Sequence, residues 1–230
     1  MKNLKVAIPL KTNSQRVPNK NLREFSEGNS LFDVKMRQLL EVFPASDVYV
    51  SSEDERVGEI VASYGANYLK RDFALTPNDA PWTDVVHDIV NSIPAGNDIL
   101  WAQVTQPLFR DFRAVVDKWQ EIRETADSLV VVKRISHYIL DEKAHPLNFE
   151  FGYWHKISQE LPKLYEVTWA CFCMRREMVD ATGYQIGRKP FLFETDAPLV
   201  DIDTLKDFEV ASILYRHYCS LGGNHATAVS

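Results

Sequence analysis

Short apolar runs alternate with segments of helical periodicity along most of this chain. Continuous apolar or β-branched runs predict buried strands at 5–10, 47–52, 98–103 and 128–133. Between them, apolar residues recur at the i, i+3, i+4, i+7 spacing of amphipathic helices within 31–43, 57–64, 85–93 and 112–122. Strands that are apolar throughout and alternate with helices predict an α/β fold, with a mostly parallel central sheet covered on both faces.

The alternation stops at residues 135–165, which are rich in histidine, aromatic and charged residues. A stretch this long without periodicity inside a compact domain indicates an insertion. After it, VTWACFCM at 167–174 predicts another strand, and 201–208 begins a last helix. The tail at 222–230 is expected to fray. We therefore predict a single domain over residues 1–230.

Composition narrows the class of protein. A chain of 230 residues should bury roughly 70–75% of its unfolded surface, enough for a core without disulfides or a structural metal. Its three cysteines form neither a disulfide framework nor a zinc pattern, which favours a reducing cytoplasm. We expect no cleavable signal and no membrane span, because no apolar run is long enough. A net charge of −6 argues against a nucleic-acid partner.

The charge is distributed unevenly. Residues 1–23 carry six basic residues and no acidic one, so the rest of the chain has a formal charge of −12. Lys11, Arg16 and Lys20 fall in one loop directly after the first predicted strand, together with Ser14 and Asn21. In open α/β sheets, ligands bind at such strand ends. Three cations beside short hydrogen-bonding side chains suit a triphosphate, so this loop is a candidate triphosphate site. It contains no glycine and therefore is not a P-loop; the alternative is a solvated basic loop.

Asp201 and Asp203 form a candidate metal pair in the sequence LVDIDT, which we expect at the carboxyl end of a strand. Alternation along a strand would place both carboxylates on one face, with Cα atoms ~6.6 Å apart. At that distance they would repel by about 3 kcal/mol at an effective dielectric constant of ~20. Mg²⁺ would relieve this repulsion, since it prefers one or two carboxylates together with phosphates and water. The alternative is that one aspartate caps the following helix and the other is simply exposed.

Five segments resemble the acylneuraminate cytidylyltransferases, the family of CMP-sialic acid synthetases. VAIPLKTNSQRVPNKN is similar to the family's I-P-A-R-G-G-S-K-R-I-P-G-K-N, and VYVSSEDERVGEIVASYGANYLKRD to its V-V-S-T-D-D-E-E-I-A…Y-G-A…R-P block. AQVTQPL resembles L-Q-P-T-S-P-L, SQELPKLY resembles R-Q-x-L-P-x-x-Y, and VDIDTLKDFEVA resembles I-D-I-D-T-x-x-D. The five segments occur in the family's order across residues 5–211.

The resemblance implies a Rossmann-like three-layer nucleotidyltransferase fold and transfer of CMP from CTP to an acidic acceptor, with Mg²⁺ and release of pyrophosphate. It also implies a homodimer, with the insertion at 135–165 reaching across to the partner and to the acceptor site. Lys11, Arg16 and Lys20 would act on the phosphates. The implied nucleotide-binding residues are Lys11, Ser14, Arg16, Lys20, Asn21, Arg71 and Thr83. The implied acceptor-binding residues are Gln103 and Gln159, and the implied metal ligands are Asp201 and Asp203.

This chain departs from the family pattern in three places, and the last two, which lie on the acceptor side, leave the acceptor open. Arg-Gly-Gly in the first loop is replaced by Lys11-Thr12-Asn13, and Asn-Gly-Ala before a late strand is replaced by Thr168-Trp169-Ala170. The arginine of the R-Q-x-L-P segment is missing. A nonulosonic acid is the expected acceptor, with a phosphonate or another acidic acceptor as the alternative. A family member that binds nucleotide without catalysis is a second alternative.

Overall fold

Within residues 3–77 and 79–220, which a computed structural model describes, the protein contains nine strands and six α-helices. The strands are β1 (Leu4–Pro9), β2 (Glu24–Ser26), β3 (Asn29–Ser30), β4 (Val48–Ser52), β5 (Asn67–Lys70), β6 (Asp98–Ala102), β7 (Ser128–Ile135), β8 (Leu164–Met174) and β9 (Pro190–Glu194). The helices are α1 (Leu31–Leu40), α2 (Glu55–Ser63), α3 (Trp82–Asn91), α4 (Phe112–Ile122), α5 (Arg176–Thr182) and α6 (Leu205–Ser220).

Seven strands form one sheet in the order β5-β4-β1-β6-β8-β7-β9. All neighbouring pairs are parallel except those made by β8, which runs antiparallel to both β6 and β7. Apolar residues of α1, α2 and α4 pack on one face of this sheet, and those of α3 and α5 pack on the other. The predicted α/β fold with a mostly parallel sheet in three layers is therefore confirmed.

The parallel strands bring distant segments to one edge. Because β1, β4, β5 and β6 run in the same direction, the loops that follow them meet beyond their carboxyl ends. Lys11, Glu53, Arg71 and Gln103 all lie in these loops. The helix and strand pattern thus positions the candidate site before any side-chain contact is considered.

A smaller apolar cluster links the start of the chain to its last helix. Val17 from the loop after β1 and Ile202 are fully buried in this cluster, together with Phe25, Phe208 and Ala211. Phe25 belongs to the β2–β3 hairpin, and its carbonyl accepts a hydrogen bond from Ser212 of α6. The cluster holds the basic loop against the segment that contains the two candidate metal ligands.

Several local elements differ from the prediction. The strand expected to end at residue 203 is wrong: the residues around Ile202 form no strand, and the Ile202 N–H makes one hydrogen bond, of 3.1 Å, to the Thr105 carbonyl rather than joining a ladder. The hairpin, β5, α5 and β9 were not predicted. Both β5 and β9 are short edge strands without a fully buried face, so they lack the continuous apolar signal of inner strands.

Residues 136–163 contain no α-helix, as expected of the insertion, although β7 and β8 extend to its borders. Cys171 and Cys173 are buried on β8, and Cys219 is exposed. The tail predicted to fray lies outside the described residues. Among the described helices, none has both the length and the apolar character that crossing a bilayer requires.

Lys35 of α1 is a completely buried lysine that has no carboxylate partner in the described part of the chain. Its ammonium donates hydrogen bonds to the carbonyls of Gln106 (3.0 Å) and Phe109 (3.5 Å) and lies 4.8 Å from the centre of the Phe112 ring. Burial lowers the pKa of Lys35 to about 7, and an electrostatic interaction with Cys171 opposes this shift. Its proton is therefore bound more weakly in the folded protein than in the unfolded chain.

We expect Lys35→Met to raise the free energy of unfolding at pH 7 by about 2 kcal/mol, because it removes a buried charge and keeps an apolar stem. Between pH 7 and 10 the unfolded wild-type chain binds more protons than the folded one, so wild-type stability rises with pH. The advantage of the variant should therefore be largest at or below pH 7 and shrink toward pH 10. Urea unfolding across this range measures it.

Lys118→Met provides the control, since Lys118 lies on the surface of α4 beside Glu121. This substitution should leave the pH dependence of stability unchanged. Equal pH slopes for wild type and Lys35→Met would show that the Lys35 pKa is not lowered by burial.

Candidate active site

A cleft of about 640 Å³ opens beyond the carboxyl ends of β1, β5 and β6. It brings together most of the residues predicted from the sequence, namely Lys11, Ser14, Arg16, Lys20, Asn21, Arg71 and Gln103. Its other side is largely apolar and is lined by Leu75, Pro77, Ala80, Trp82 and Val85. The cleft thus has one cationic wall and one apolar wall.

The cationic loop after β1 is held in place at several points. Val17 is buried, and its carbonyl accepts a hydrogen bond of 3.1 Å from the Lys20 N–H. The Asn21 side-chain amide donates to the Lys11 carbonyl at 2.9 Å, and Asn21 itself is almost fully buried. The side-chain oxygen of Asn21 has no partner among the described residues. A hydroxyl donor entering the cleft would satisfy this oxygen.

Thr12 is tied to the loop after β4. Its backbone N–H and its hydroxyl both donate to the Glu53 carboxylate, at 2.9 and 2.8 Å. In glycine-rich phosphate loops, backbone N–H groups of this kind face the phosphate. Here the Thr12 N–H is already hydrogen-bonded to Glu53, so the positive potential on this wall comes chiefly from side chains.

Two cations on the cleft wall are partly or fully dehydrated. Burial lowers the pKa of Lys11; the Glu53 charge opposes this shift and the Arg71 charge adds to it. Burial also lowers the pKa of Arg71, whose guanidinium donates to the Ser51 hydroxyl (3.1 Å) and the Ser51 carbonyl (2.6 Å). Positive charges confined in this way are stabilised by an anionic ligand.

Asp201 and Asp203 flank the buried Ile202 and lie beside the basic loop. Asp203 is 2.9 Å from Arg16 and 3.6 Å from Lys20, and the Lys20 ammonium also donates to the Ile202 carbonyl. The pKa of Asp201 is raised, first by loss of hydration and then by repulsion from Asp203, although a hydrogen bond with Thr105 opposes the shift. The two carboxylates therefore interact unfavourably with each other.

A divalent cation fits this pair. The described residues contain no group of three or more His, Cys, Asp or Glu side chains that could hold a metal ion, so the protein would supply the two aspartates only. Mg²⁺ suits such a site, because it keeps several waters and binds substrate phosphates in addition to one or two carboxylates. Burial is the main cause of the raised Asp201 pKa, and such an ion would remove the repulsion from Asp203 that adds to it.

Comparison with known proteins identifies the family. The family model described as "Cytidylyltransferase" matches residues 6–145, more than half of the chain. The chain belongs to the cytidylyltransferase family. Two similar relatives are pseudaminic acid cytidylyltransferases of Campylobacter jejuni subsp. jejuni, from serotypes O:2 and O:23/36. They are 27% and 26% identical to this cytidylyltransferase, and each match covers 94% of this chain and 97% of the relative.

Solved structures support the fold of this cytidylyltransferase. A CMP:2-keto-3-deoxy-manno-octonic acid synthetase complexed with CTP has a TM-score of 0.65 at 17% identity, covering 94% of this chain and 99% of the other. A 4-diphosphocytidyl-2C-methyl-D-erythritol synthase from Anaerococcus prevotii has a TM-score of 0.67 at 10% identity, covering 94% and 96%. At these identities the likeness concerns the fold alone.

Four predicted residues are not among those that line the cleft of this cytidylyltransferase. Asp201 and Asp203 lie beside the loop after β1, where Asp203 pairs with Arg16. Thr83 of α3 faces Gly183, at the end of α5, rather than the cleft. Gln159 is exposed on the insertion, where the Ser158 hydroxyl lies 3.2 Å from its side-chain oxygen. The roles assigned to these residues, and to the predicted residues that do line the cleft, stay predictions.

Three residues of the cytidylyltransferase site were not predicted. The Glu53 carboxylate accepts hydrogen bonds from Thr12 of the loop after β1, and the Thr105 side chain is hydrogen-bonded to Asp201. Trp82 lines the apolar wall of the cleft. The motif SSEDE contained a signal for Glu53, since an acidic residue follows a strand end there. Nothing local distinguishes Trp82 from a core residue, because its position depends on the packing of α3 over the sheet.

Proposed function

We propose that this cytidylyltransferase transfers CMP from CTP to the anomeric hydroxyl of a nonulosonic acid and releases pyrophosphate. The main support is the cationic loop that lines the cleft and pairs through Arg16 with Asp203 of the aspartate pair, in a chain of this family. The acceptor class is supported by the two Campylobacter relatives, which are pseudaminic acid cytidylyltransferases and match nearly the whole chain.

In the proposed reaction, the acceptor oxygen attacks the α-phosphorus of CTP and the hydroxyl proton passes to solvent. The bond from that phosphorus to the oxygen shared with the β-phosphate breaks, and pyrophosphate leaves. Lys11, Arg16 and Lys20 would contact the phosphates and neutralise the charge that develops on the departing pyrophosphate. The unpartnered oxygen of Asn21 would accept a hydrogen bond from a ribose hydroxyl. Catalysis is therefore chiefly positioning and electrostatic stabilisation.

Asp201 and Asp203 would hold Mg²⁺ next to the phosphates. When bound, the ion would neutralise phosphate charge and orient the triphosphate for attack. Asp203 also has contacts in the protein alone, because it pairs with Arg16 and lies close to Lys20. Thr105 orients Asp201 from the loop that follows β6.

The proposal is tested by incubating purified protein with Mg²⁺, CTP and one acceptor at a time. The panel is pseudaminic acid, N-acetylneuraminic acid, 2-keto-3-deoxy-manno-octonic acid and a small phosphonate. We expect pyrophosphate release that depends on a nonulosonic acid, together with a CMP-linked product detected by mass spectrometry. If only the phosphonate supported pyrophosphate release, the acceptor would be a phosphonate and not a nonulosonic acid. No acceptor-dependent release with any of the four would refute CMP transfer to an acidic acceptor.

We also propose that the protein is a homodimer joined through the insertion at 135–165. This segment exposes an unusual number of large apolar side chains, namely Tyr138, Leu140, Leu147, Phe151, Tyr153, Trp154 and Ile157. Tyr153 is 91% exposed and Trp154 is 68% exposed. A surface of this kind typically marks a protein interface. Gln159 lies on the same segment and would then serve the cleft of the partner subunit.

Light scattering is expected to give a mass about twice the chain mass of 26.4 kDa. A double variant with Tyr153→Ser and Trp154→Ser should shift the protein toward the monomer, because it removes the two aromatic side chains that are most exposed on the segment. Phe73→Ser is the control, since Phe73 is 73% exposed on a different loop. A wild-type protein that is monomeric at micromolar concentration would contradict the proposed dimer.

A further inference from the structure

Trp169 has a backbone conformation that suits glycine. Its φ is 57°, in the left-handed region, where a bulky side chain is strained. The residue lies in an irregularity between β7 and β8: Val130 pairs with Phe172 and Val132 pairs with Val167, so the single residue Val131 faces four residues of β8. Glycine is the usual residue at such a position. In this chain, the position therefore combines a strained backbone with an indole side chain.

The ring of Trp169 packs against Trp82, which lines the cleft. The two ring centres are 6.3 Å apart at 80°, an edge-to-face arrangement, and Phe172 packs on Trp169 at 5.5 Å. Trp82 is held on two further sides: its ring meets Trp101 at 5.9 Å, and its indole N–H donates to the Gln185 side-chain oxygen at 3.0 Å. These contacts give the Trp82 ring one fixed orientation.

The sheet order places this aromatic group beside the loop that carries Gln103, the predicted acceptor residue. Trp101 lies on β6 and Trp169 on β8, and the loop after β6 contributes Gln103 and Thr105 to the cleft. Arg71 follows β5 at the opposite edge of the sheet. The Trp82 ring contacts Trp101 of β6, the strand whose following loop carries the predicted acceptor residue Gln103.

The irregular segment is itself held rigidly. The Thr168 carbonyl accepts a hydrogen bond of 2.7 Å from the Gln106 side chain, and the Thr168 hydroxyl donates to the Val131 carbonyl at 2.8 Å. Gln106 and Thr168 are both buried. Because Gln106 belongs to the loop after β6, the backbone that carries Trp169 is tied directly to the loop that contributes Gln103 and Thr105 to the cleft.

We propose that Trp169 is a positioning residue for acceptor selection. By fixing Trp82 as a flat apolar wall, it selects acids that carry an acyl or methyl group over acids that present only hydroxyls to this wall. An acyl methyl group packs favourably on an indole ring, whereas a hydroxyl placed there loses its water and finds no partner. This inference rests on the proposed function and names the acceptor class more narrowly.

The test compares N-acetylneuraminic acid with its 5-hydroxy analogue, which differs only in having a hydroxyl in place of the acetamido group. We expect wild type to prefer the acetamido compound by at least about tenfold in kcat/KM. Trp169→Gly should reduce this preference to about threefold or less, through KM for the acceptor, and leave KM for CTP unchanged. Trp169→Phe keeps a ring and should retain most of the preference.

Trp169→Gly also relieves the strained backbone, so it should fold, and its melting temperature reports this directly. Glu27→Gly is the matched control: Glu27 has a φ of 51° in the β2–β3 turn, outside the cleft. This substitution should leave the acceptor preference unchanged.

The outcomes separate the inference from the proposed function. Turnover of both compounds with equal kcat/KM in wild type, or an unchanged preference in Trp169→Gly, would overturn the acyl-selecting wall and leave CMP transfer intact. Failure of both compounds would also overturn it, even if another acid in the wider panel were active. If no acid at all released pyrophosphate, the proposed function itself would have failed.

Discussion

Asp203→Asn is expected to lower kcat for CMP transfer by roughly 10²–10³-fold, because several kcal/mol of charge stabilisation at the phosphates would be lost. The substitution keeps the size of the side chain and removes its charge. KM for CTP should not rise, since the lost carboxylate repels the triphosphate as well as holding Mg²⁺. The Mg²⁺ concentration that gives half-maximal activity should increase. Steady-state kinetics with varied CTP and varied Mg²⁺ measure these three effects.

The fold should tolerate this substitution. The ion pair between Asp203 and Arg16 is exposed, with 47% and 67% of the two side chains accessible to solvent, and such pairs contribute at most about 1 kcal/mol. Asp54→Asn is a suitable control, because Asp54 also pairs with an arginine, Arg56, but not with the cations of the loop after β1. Near-normal kcat in Asp203→Asn, or an equal loss in Asp54→Asn, would refute the metal assignment.

The central part of this site could be predicted because each signal is local. The loop after β1 places its cations within ten residues, and the sequence Asp201-Ile202-Asp203 alternates around one buried side chain. A pattern of this kind positions both carboxylates even though the segment is not a strand. The parallel sheet then follows from apolar runs separated by amphipathic helices, and it brings the two segments together.

The remaining parts depend on contacts between segments that are far apart in sequence. Thr83, the predicted residue, is the neighbour of Trp82 in sequence. Successive side chains of an α-helix nevertheless point about 100° apart around the helix axis. Trp82 therefore lines the cleft while Thr83 faces Gly183. Similarly, the bond from Thr12 to Glu53 spans 41 residues, so the loss of glycine from the first loop could be noticed in the sequence but its compensation could not.

Lys20→Met is expected to lower kcat/KM for CTP by roughly 10²–10³-fold, with both a higher KM and a lower kcat. Only 12% of the Lys20 side chain is exposed, and the Ile202 carbonyl fixes its ammonium. A cation that is already dehydrated and oriented stabilises phosphate charge more strongly than a mobile surface lysine. The measurement is steady-state kinetics with varied CTP at saturating acceptor.

Lys5→Met is the control that distinguishes the loss of phosphate stabilisation from a general loss of protein stability. Lys5 lies at the amino end of β1 and pairs with Asp47, and both side chains are about as buried as Lys20, at 22% and 19% exposed. Each substitution removes one partly buried ion pair, so both variants should lose similar stability in urea unfolding. Only Lys20→Met should lose activity. If Lys20→Met lost stability but kept its kcat/KM, Lys20 would serve to tether Ile202 and its two aspartates, and the phosphates would be neutralised by Lys11 and Arg16 alone.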